Sequence, residues 1–440
     1  MRNTPSVGDP HVTFLFWLFP ALTLLAAVAI PSVAAIRRGR RYAAFSAIAL
    51  AFSLPGLAVS YFRIDSWLAT VSPALKTAFE LTFAFAMAAL MLHMTSMVKP
   101  RLRPFAVRLF VNGPGQTFLA SGALAGAWLL LLLPFRLVIG LLGDAALLEP
   151  FRALDLLPFV LAVACAIASP RLRRETVPIA LAQDGPDEVS RVPLHPHRGL
   201  RTPQPGKGVL RIAQVSDPHL GPWQSIGQLK RTLETLLACD PDLVLLTGDY
   251  LTMEGNETPG ALAKALQPLR HAEGRCFAIF GNHDHEAPEE VRGALAENKV
   301  RLLVDEEALV TTAAGNVQIL GSDYVRNDRA EHLEALGSRF PRQADSLRLL
   351  LLHDPQGFAF VPDGDADLVL SGHTHGGQVG LVSLGLDWTV LSRSRWPDHG
   401  LFAKGRNRLY VHRGTGFYGF PLRIGVPGEA SILEVTPAGR

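Results

Sequence analysis

Cysteine is nearly missing from this chain: three occur in 440 residues, Cys165, Cys239 and Cys276. None stands at a spacing that would make a thiolate metal site, and three isolated thiols build no disulfide framework; a reducing compartment is expected. Acidic residues are scarce in the first 174 positions, which hold 16 Lys+Arg against 6 Asp+Glu, a net of +10. The remainder holds 26 and 33, a net of −7, so the overall excess of +3 describes the flanks of apolar runs rather than a basic surface. No nucleic-acid partner is expected from it. Internal repeats and long low-complexity tracts are also absent, which excludes solenoids and arrays.

What the first 174 residues do contain is five apolar runs, at 12–36, 42–62, 77–98, 117–142 and 154–169. A bilayer's hydrocarbon core asks for about 20 such residues, about 17 at the least. Four runs satisfy it and the fifth is marginal, a buried core helix being its alternative. The expectation is an all-α membrane region of about five transmembrane helices. The first run is not expected to be a cleaved signal peptide, because its basic residues come mainly after it and further runs follow. Glu80, His93 and Arg136 fall inside or near span edges and are expected to snorkel toward the interface. Arg37, Arg38, Arg40 and Arg41 follow the first run, Lys99, Arg101, Arg103 and Arg108 the third, and Arg171, Arg173 and Arg174 the fifth. With five spans the positive-inside rule places the N-terminus outside and the C-terminal half in the cytoplasm; a count of four would reverse the latter. The chain is thus expected to be a multi-pass protein of the inner or plasma membrane. Residues 175–207 read as a proline-rich linker with an edge strand at 176–181, in which His195 and His197 are solvated.

The C-terminal half, 208–440, carries the chemistry. Five segments occur in order: Asp217-Pro-His219, Gly248-Asp249, Gly281-Asn282-His283-Asp284, His353 and Gly372-His373-Thr374-His375. Each follows a short apolar, β-branched run (209–216, 243–246, 276–280, 349–352 and 368–370), so each is predicted at the C-terminal end of a buried strand. Helical stretches at 226–238, 260–269 and 288–297 alternate with the early strands, which predicts a largely parallel α/β sheet whose strand ends line a ligand crevice. A single Asp after a strand is ordinarily a turn former. Five such segments together, of hard oxygen and imidazole ligands without cysteine, suit two small divalent ions side by side.

These five segments resemble the motif blocks of the calcineurin-like metallophosphoesterases, over roughly residues 208–440. The resemblance implies a four-layer β-sandwich flanked by helices. It implies that Asp217, His219 and His375 hold one ion, that Asn282, His353 and His373 hold the other, and that Asp249 bridges them opposite a hydroxide. His283 would face the phosphate and protonate the leaving oxygen, with Asp284 orienting it. The ions it implies are two divalent metals, Mn²⁺ first, Fe or Zn²⁺ as alternatives. Pro218, between the first two ligands, departs from the bulky apolar residue common there and leaves both ligands in place.

The expected activity is hydrolysis of a phosphodiester or pyrophosphate bond. Several spans followed by this domain resemble transmembrane metallophosphoesterases and the UDP-2,3-diacylglucosamine pyrophosphohydrolases, so a lipid-linked or nucleotide substrate at the bilayer is expected. The alternatives are a membrane sensor or transporter with the phosphoesterase as its output module, and a protein phosphatase. In the tail, Arg393, Arg395, Trp396, His412, Arg413 and Arg423 are candidates for holding a phosphate or a ring, a solvated basic face being the other reading. The sequence sets no oligomeric state.

Overall fold

The computed structural model describes residues 10–142, 149–181, 184–201 and 208–437. The chain divides into two compact units, Met1–Ile167 and Ala168–Arg440.

In the first unit, four helices are long and apolar enough to cross a bilayer: Phe14–Arg38, Arg40–Val71, Pro73–Ser96 and Phe105–Leu141. Local chemistry sets the breaks between them. Gly39, at φ 99°, takes a conformation costly for other residues. Ser72 caps the third helix by accepting the Leu75 N–H, and Pro73 occupies the first turn, where no N–H is needed. The second and fourth helices meet backbone to backbone, because a Cβ at Gly56 would overlap Gly122 and Gly126. Close approach of small residues is how helices gain packing where lipid offers no hydrophobic drive. Phe19, Tyr61, Phe83 and Phe118 fill the interior.

Two expectations for this unit change. Glu80 and His93 are buried rather than snorkelling. Lys76 pairs with both Glu80 and Asp65, 3.1 Å from the latter, while Arg63 (2.7 Å) and Arg136 both pair with Asp155. An intramembrane charge is costly alone, and pairing inside the bundle answers that cost as well as reaching for the interface does. The fifth apolar run is not a fifth long helix. Two helical pieces, Glu149–Leu154 before the run and Leu157–Ala168 within it, are separated by a break at Asp155. The second piece has 12 residues, about 18 Å at 1.5 Å per residue against a hydrocarbon core of about 30 Å. Among the described residues the count of qualifying helices is four, and the parity argument for the side of the C-terminal half loses its fifth span.

The second unit is a sandwich of two seven-stranded sheets. One runs β3 (His197–Arg198), β1 (Leu172–Ala180), β14 (Gly428–Thr436), β4 (Leu210–Val215), β5 (Leu243–Leu246), β6 (Cys276–Ala278) and β7 (Arg301–Leu302). The other runs β2 (Ser190–Val192), β12 (Gly400–Lys404), β13 (Asn407–Val411), β11 (Leu368–Ser371), β10 (Ser346–Leu351), β9 (Gly315–Gly321) and β8 (Glu306–Thr312). The runs β4–β5–β6–β7 and β9–β10–β11–β13 are parallel. Ile212, Leu245 and Phe277 from the first sheet share a core with Leu349, Leu370 and Tyr410 from the second. On the far face of the second sheet, Leu333 and Leu336 of helix Arg329–Arg339 cover Leu350 and Val369. The α/β sandwich with flanking helices is therefore as expected.

The stretch expected to be a linker is mostly folded. It and the residues just before it supply β1 and β3 to one sheet and β2 to the other; β1 lies inside the edge, parallel to β14 over nine residues. Its principal partner lies more than 250 positions away, so local composition carried no sign of it. Residues 202–207, with the Thr202-Pro-Gln-Pro205 run, lie outside the described residues.

Candidate metal centre

The predicted segments all emerge at strand ends: Asp217 and His219 after β4, Asp249 after β5, Asn282 and His283 after β6, His353 after β10, His373 and His375 after β11. Five of these residues hold left-handed backbone, with φ of 50° at Asp217, 43° at His219, 58° at Asp249, 69° at His373 and 51° at His375. Such a conformation costs an L-residue roughly 1–2 kcal/mol, and its concentration at one place is a mark of function. Glycines make room for the convergence. A Cβ on Gly372 would overlap Ser216 Oγ and Asp217 Oδ2, and one on Gly281 would overlap Asp249 Oδ1.

The side chains gather into two groups, Asp217–His219–His375 and Asp249–His353–His373. In the first, His219 Nε2 lies 3.1 Å from His375 Nε2, which is 3.4 Å from Asp217 Oδ1. In the second, His353 Nε2 lies 3.3 Å from Asp249 Oδ2 and 3.3 Å from His373 Nδ1. Asp249 Oδ2 stands between the groups, being also 3.6 Å from His219 Nε2. His353 Nδ1 faces the Thr247 carbonyl at 2.7 Å, a bond that would leave its Nε2 turned to the centre.

Burial dominates the electrostatics. It pushes the Asp217 carboxyl up to about 6 and the His219 imidazole down to about 3. It likewise holds His373 down at about 4 and His375 well below its ordinary value. His353 moves the other way, to about 10: burial opposes the charge, but the adjacent Asp249 carboxylate outweighs burial. Burial raises Asp249 too, yet His353 beside it wins and holds that carboxyl below the carboxylate range. Neutral imidazoles and carboxylate oxygens thus converge with more acceptors than donors, and Asn282 Oδ1 is buried without a hydrogen-bond partner. Hard oxygen and imidazole donors with no thiolate, aimed at one another across 3–4 Å, fit divalent cations.

Asp284 does not orient His283. Its buried carboxylate accepts the backbone N–H groups of Asp249 (2.7 Å), Tyr250 (2.8 Å) and Gly281 (2.7 Å), tying the loop after β5 to the loop after β6. His283 Nδ1 faces Glu286 Oε1 at 2.9 Å, and its backbone N–H donates to Asp249 Oδ1 at 2.8 Å. His412, Arg413 and Arg423 are also not placed to meet a substrate, because all three are buried. Arg413 pairs with Glu175 and Glu429; Arg423 donates to the carbonyls of His375 (3.1 Å) and Arg413 (2.6 Å), a strut beneath the His-x-His turn. Tyr418, in the segment that Arg413 and Arg423 flank, stacks on the His219 ring at 4.9 Å and 15°.

The sequence around this site is similar to that of known proteins. Residues 210–377 match the calcineurin-like phosphoesterase family. The uncharacterized metallophosphoesterase YkoQ of Bacillus subtilis is 32% identical over 52% of this chain and 85% of its own length. Phosphodiesterase YaeI of Escherichia coli is 27% identical over 51% and 82%. The UDP-2,3-diacylglucosamine pyrophosphatase LpxG of Chlamydia muridarum is 24% identical over 51% and 83%. The chain belongs to the calcineurin-like phosphoesterase family, a class of metal-dependent phosphoester hydrolases. It joins that domain to a membrane-associated helical unit.

Proposed function

We propose that this chain hydrolyses a phosphodiester or pyrophosphate bond, in a lipid-linked or nucleotide substrate, with two divalent ions in its C-terminal domain. Asp217, His219 and His375 would hold one ion and Asn282, His353 and His373 the other, with Asp249 reaching both. The observation that carries this reading is the place of Asp249 Oδ2, 3.6 Å from an imidazole of one group and 3.3 Å from an imidazole of the other. When bound, two such ions supply an activated water and withdraw charge from the phosphoryl oxygens. We take Mn²⁺ as the working metal, with Fe and Zn²⁺ the alternatives for such donors.

The chain's own residues do the rest. His283 is partly open to solvent, and its hydrogen bond to Glu286 raises its pKa although burial opposes the charge. It would thus carry the proton that a leaving alkoxide or phosphate needs, a role that contributes typically 10²–10⁴-fold. Asp284 would hold the two loops that carry Asp249, Asn282 and His283 in register, and act on the chemistry only through them. The relatives named phosphodiesterase and pyrophosphatase support the choice of bond.

We place the side of the bilayer carrying Arg37–Arg41 and Lys99–Arg108 in the cytoplasm, and the catalytic domain with it, which requires residues 149–168 to return through the bilayer. An external reporter fused after Arg440 would overturn that placement.

The activity is tested on the full-length chain, since a fragment starting after Leu172 would cut β1. Mn²⁺-dependent cleavage of bis(p-nitrophenyl) phosphate, exceeding that of p-nitrophenyl phosphate and abolished by Asp249→Asn, is the expected result. Undiminished turnover in that variant, or no turnover with two metals bound, would remove the reading.

A further inference from the structure

One loop of the catalytic unit breaks the rule that the rest of it obeys. Leu381, Leu384, Leu386, Trp388 and Val390 are exposed, Leu384 at 76%, whereas only Leu309 and Phe360 are exposed large apolar side chains among the other described residues of 168–440. A contiguous apolar patch marks a binding surface, where scattered single residues do not. The loop is built rather than loose. The N–H of Leu381 donates to the Trp388 carbonyl at 2.8 Å, that of Val390 to Val379 at 3.0 Å, and that of Ser383 to Gly425 at 2.8 Å. Val382 and Thr389 point inward and are buried. With its fold fixed by these bonds, the loop has no internal reason to hold its leucines and tryptophan in water.

The loop is wired to the centre. Thr389 Oγ1 donates to Asp398 Oδ2 at 2.6 Å, and the Asp398 carbonyl accepts Thr374 Oγ1 at 2.6 Å. Thr374 stands between His373 and His375. On the C-terminal side the loop continues into Arg393 and Arg395, neither with a carboxylate partner among the described residues, and Arg395 lies over the Trp396 ring at 4.8 Å. Arg395 and Trp396 then line an open cleft of about 760 Å³ together with His373, Tyr324, Arg326 and Phe360. Apolar tips with a tryptophan, followed in the chain by two arginines without a carboxylate partner and a second tryptophan, are what a water–lipid boundary selects: apolar groups in the acyl region, aromatic rings and cations at the headgroups.

We propose that residues 381–396 form a membrane-docking loop. Leu384, Leu386, Trp388 and Val390 enter the acyl boundary, Arg393 and Arg395 meet anionic headgroups, and the cleft beside His373 opens onto the bilayer, so that its phosphoester comes from a lipid headgroup. The bilayer, rather than a second copy or a soluble partner, is the occupant because the same chain carries four candidate membrane helices, and because the basic flank complements an anionic surface. Only the delivery clause rests on the hydrolase reading above; docking stands apart from it.

The test uses the full-length chain in vesicles of phosphatidylcholine and phosphatidylglycerol at 3:1. Cys165 is replaced by serine, the buried Cys239 and Cys276 are kept, and an environment-sensitive fluorophore is placed at Leu384→Cys or, as reference, at Leu309→Cys. A blue-shifted Leu384→Cys label quenched by nitroxide lipids, beside an unquenched Leu309→Cys label, is expected. Equal behaviour of the two labels overturns docking; so does a blue shift without lipid quenching, which would mean a protein covers the loop. In the same vesicles, the variant L384D/L386D/W388D is expected to cleave CDP-diacylglycerol at least about tenfold more slowly than wild type while soluble bis(p-nitrophenyl) phosphate is cleaved unchanged. Equal rates on both substrates overturn delivery from lipid. If wild type cleaves neither, the hydrolase reading has failed, and the quenching result alone decides docking.

Discussion

Buried charge is handled in opposite ways in the two units. Among the described residues of the membrane unit every strongly buried carboxylate has a cation: Asp155 has Arg63 and Arg136, and Asp65 and Glu80 share Lys76. In the catalytic unit Asp217, Asp249 and Asp284 are buried close together, and among the imidazoles around them only His353, beside Asp249, and the half-buried His283, bonded to Glu286, are pushed toward charge. The first pattern closes on itself and is structural; the second is short of positive charge where oxygen and nitrogen donors converge, which is what a site for cations looks like before they are counted.

Filling the space that makes the convergence possible should disturb the open pattern most. In Gly372→Ala the new Cβ falls on Ser216 Oγ and Asp217 Oδ2, so the Asp217 carboxylate or the His373–His375 turn must move. Displacement of about 1 Å at such a site costs at least about 10²-fold in rate. We expect that loss in kcat/KM together with fewer than two metals per chain by elemental analysis; full metal content with unchanged rate would show that the cradle tolerates the methyl. His283→Gln separates chemistry from metal binding. It should lower kcat about 10²-fold with two metals retained, and loss of metal instead would make His283 a ligand.

How much of this was legible beforehand follows from what is local. Each ligand segment is a strand end followed by a turn, readable from a dozen neighbouring residues, and the α/β alternation is readable for the same reason. The partner of His283 was local too: Glu286, three residues on, was a better candidate than the adjacent Asp284, whose neighbour position points it to backbone amides instead. What escaped is long-range. The burial of His412, Arg413 and Arg423 depends on β1 meeting β14 and bringing Glu175 up to Arg413, and a window around Arg413 shows only a basic, glycine-rich turn. In the membrane half, composition located the apolar runs but not the break at Asp155, because the cations that stabilise it come from positions 63 and 136.

The closed pattern predicts the reverse response to substitution. Asp155→Asn removes the carboxylate that Arg63 shares with Arg136, which is 12% exposed at its side chain. Breaking one side of a buried pair costs roughly 3–5 kcal/mol; because Arg63 is 37% exposed and water-screened, we expect about 2 kcal/mol. Thermal unfolding in detergent should show the membrane unit melting earlier, with hydrolysis of soluble diester and metal content unchanged at low temperature. Equal loss of diester hydrolysis would contradict the division of labour between the units.

The smallest effect tests whether the closed pattern extends beneath the catalytic centre. His412 is fully buried, and burial holds its pKa down at about 4, with Glu429 opposing and Arg413 and Arg423 assisting. The folded chain therefore binds fewer protons there than the unfolded chain, whose histidine titrates near 6.5. That contribution to stability is fully present above about pH 6.5 and is lost as pH falls toward 4. By pH 5.5 about 1 kcal/mol of it is lost. Other buried histidines titrate in the same window, so the measurement is a difference. The stability of His412→Asn, whose amide oxygen can accept the Gly414 N–H that His412 Nδ1 accepts at 3.0 Å, should fall less steeply from pH 7 to pH 5 than that of wild type. Parallel curves would mean that His412 is protonated in the folded chain, with Glu429 as its true counter-ion.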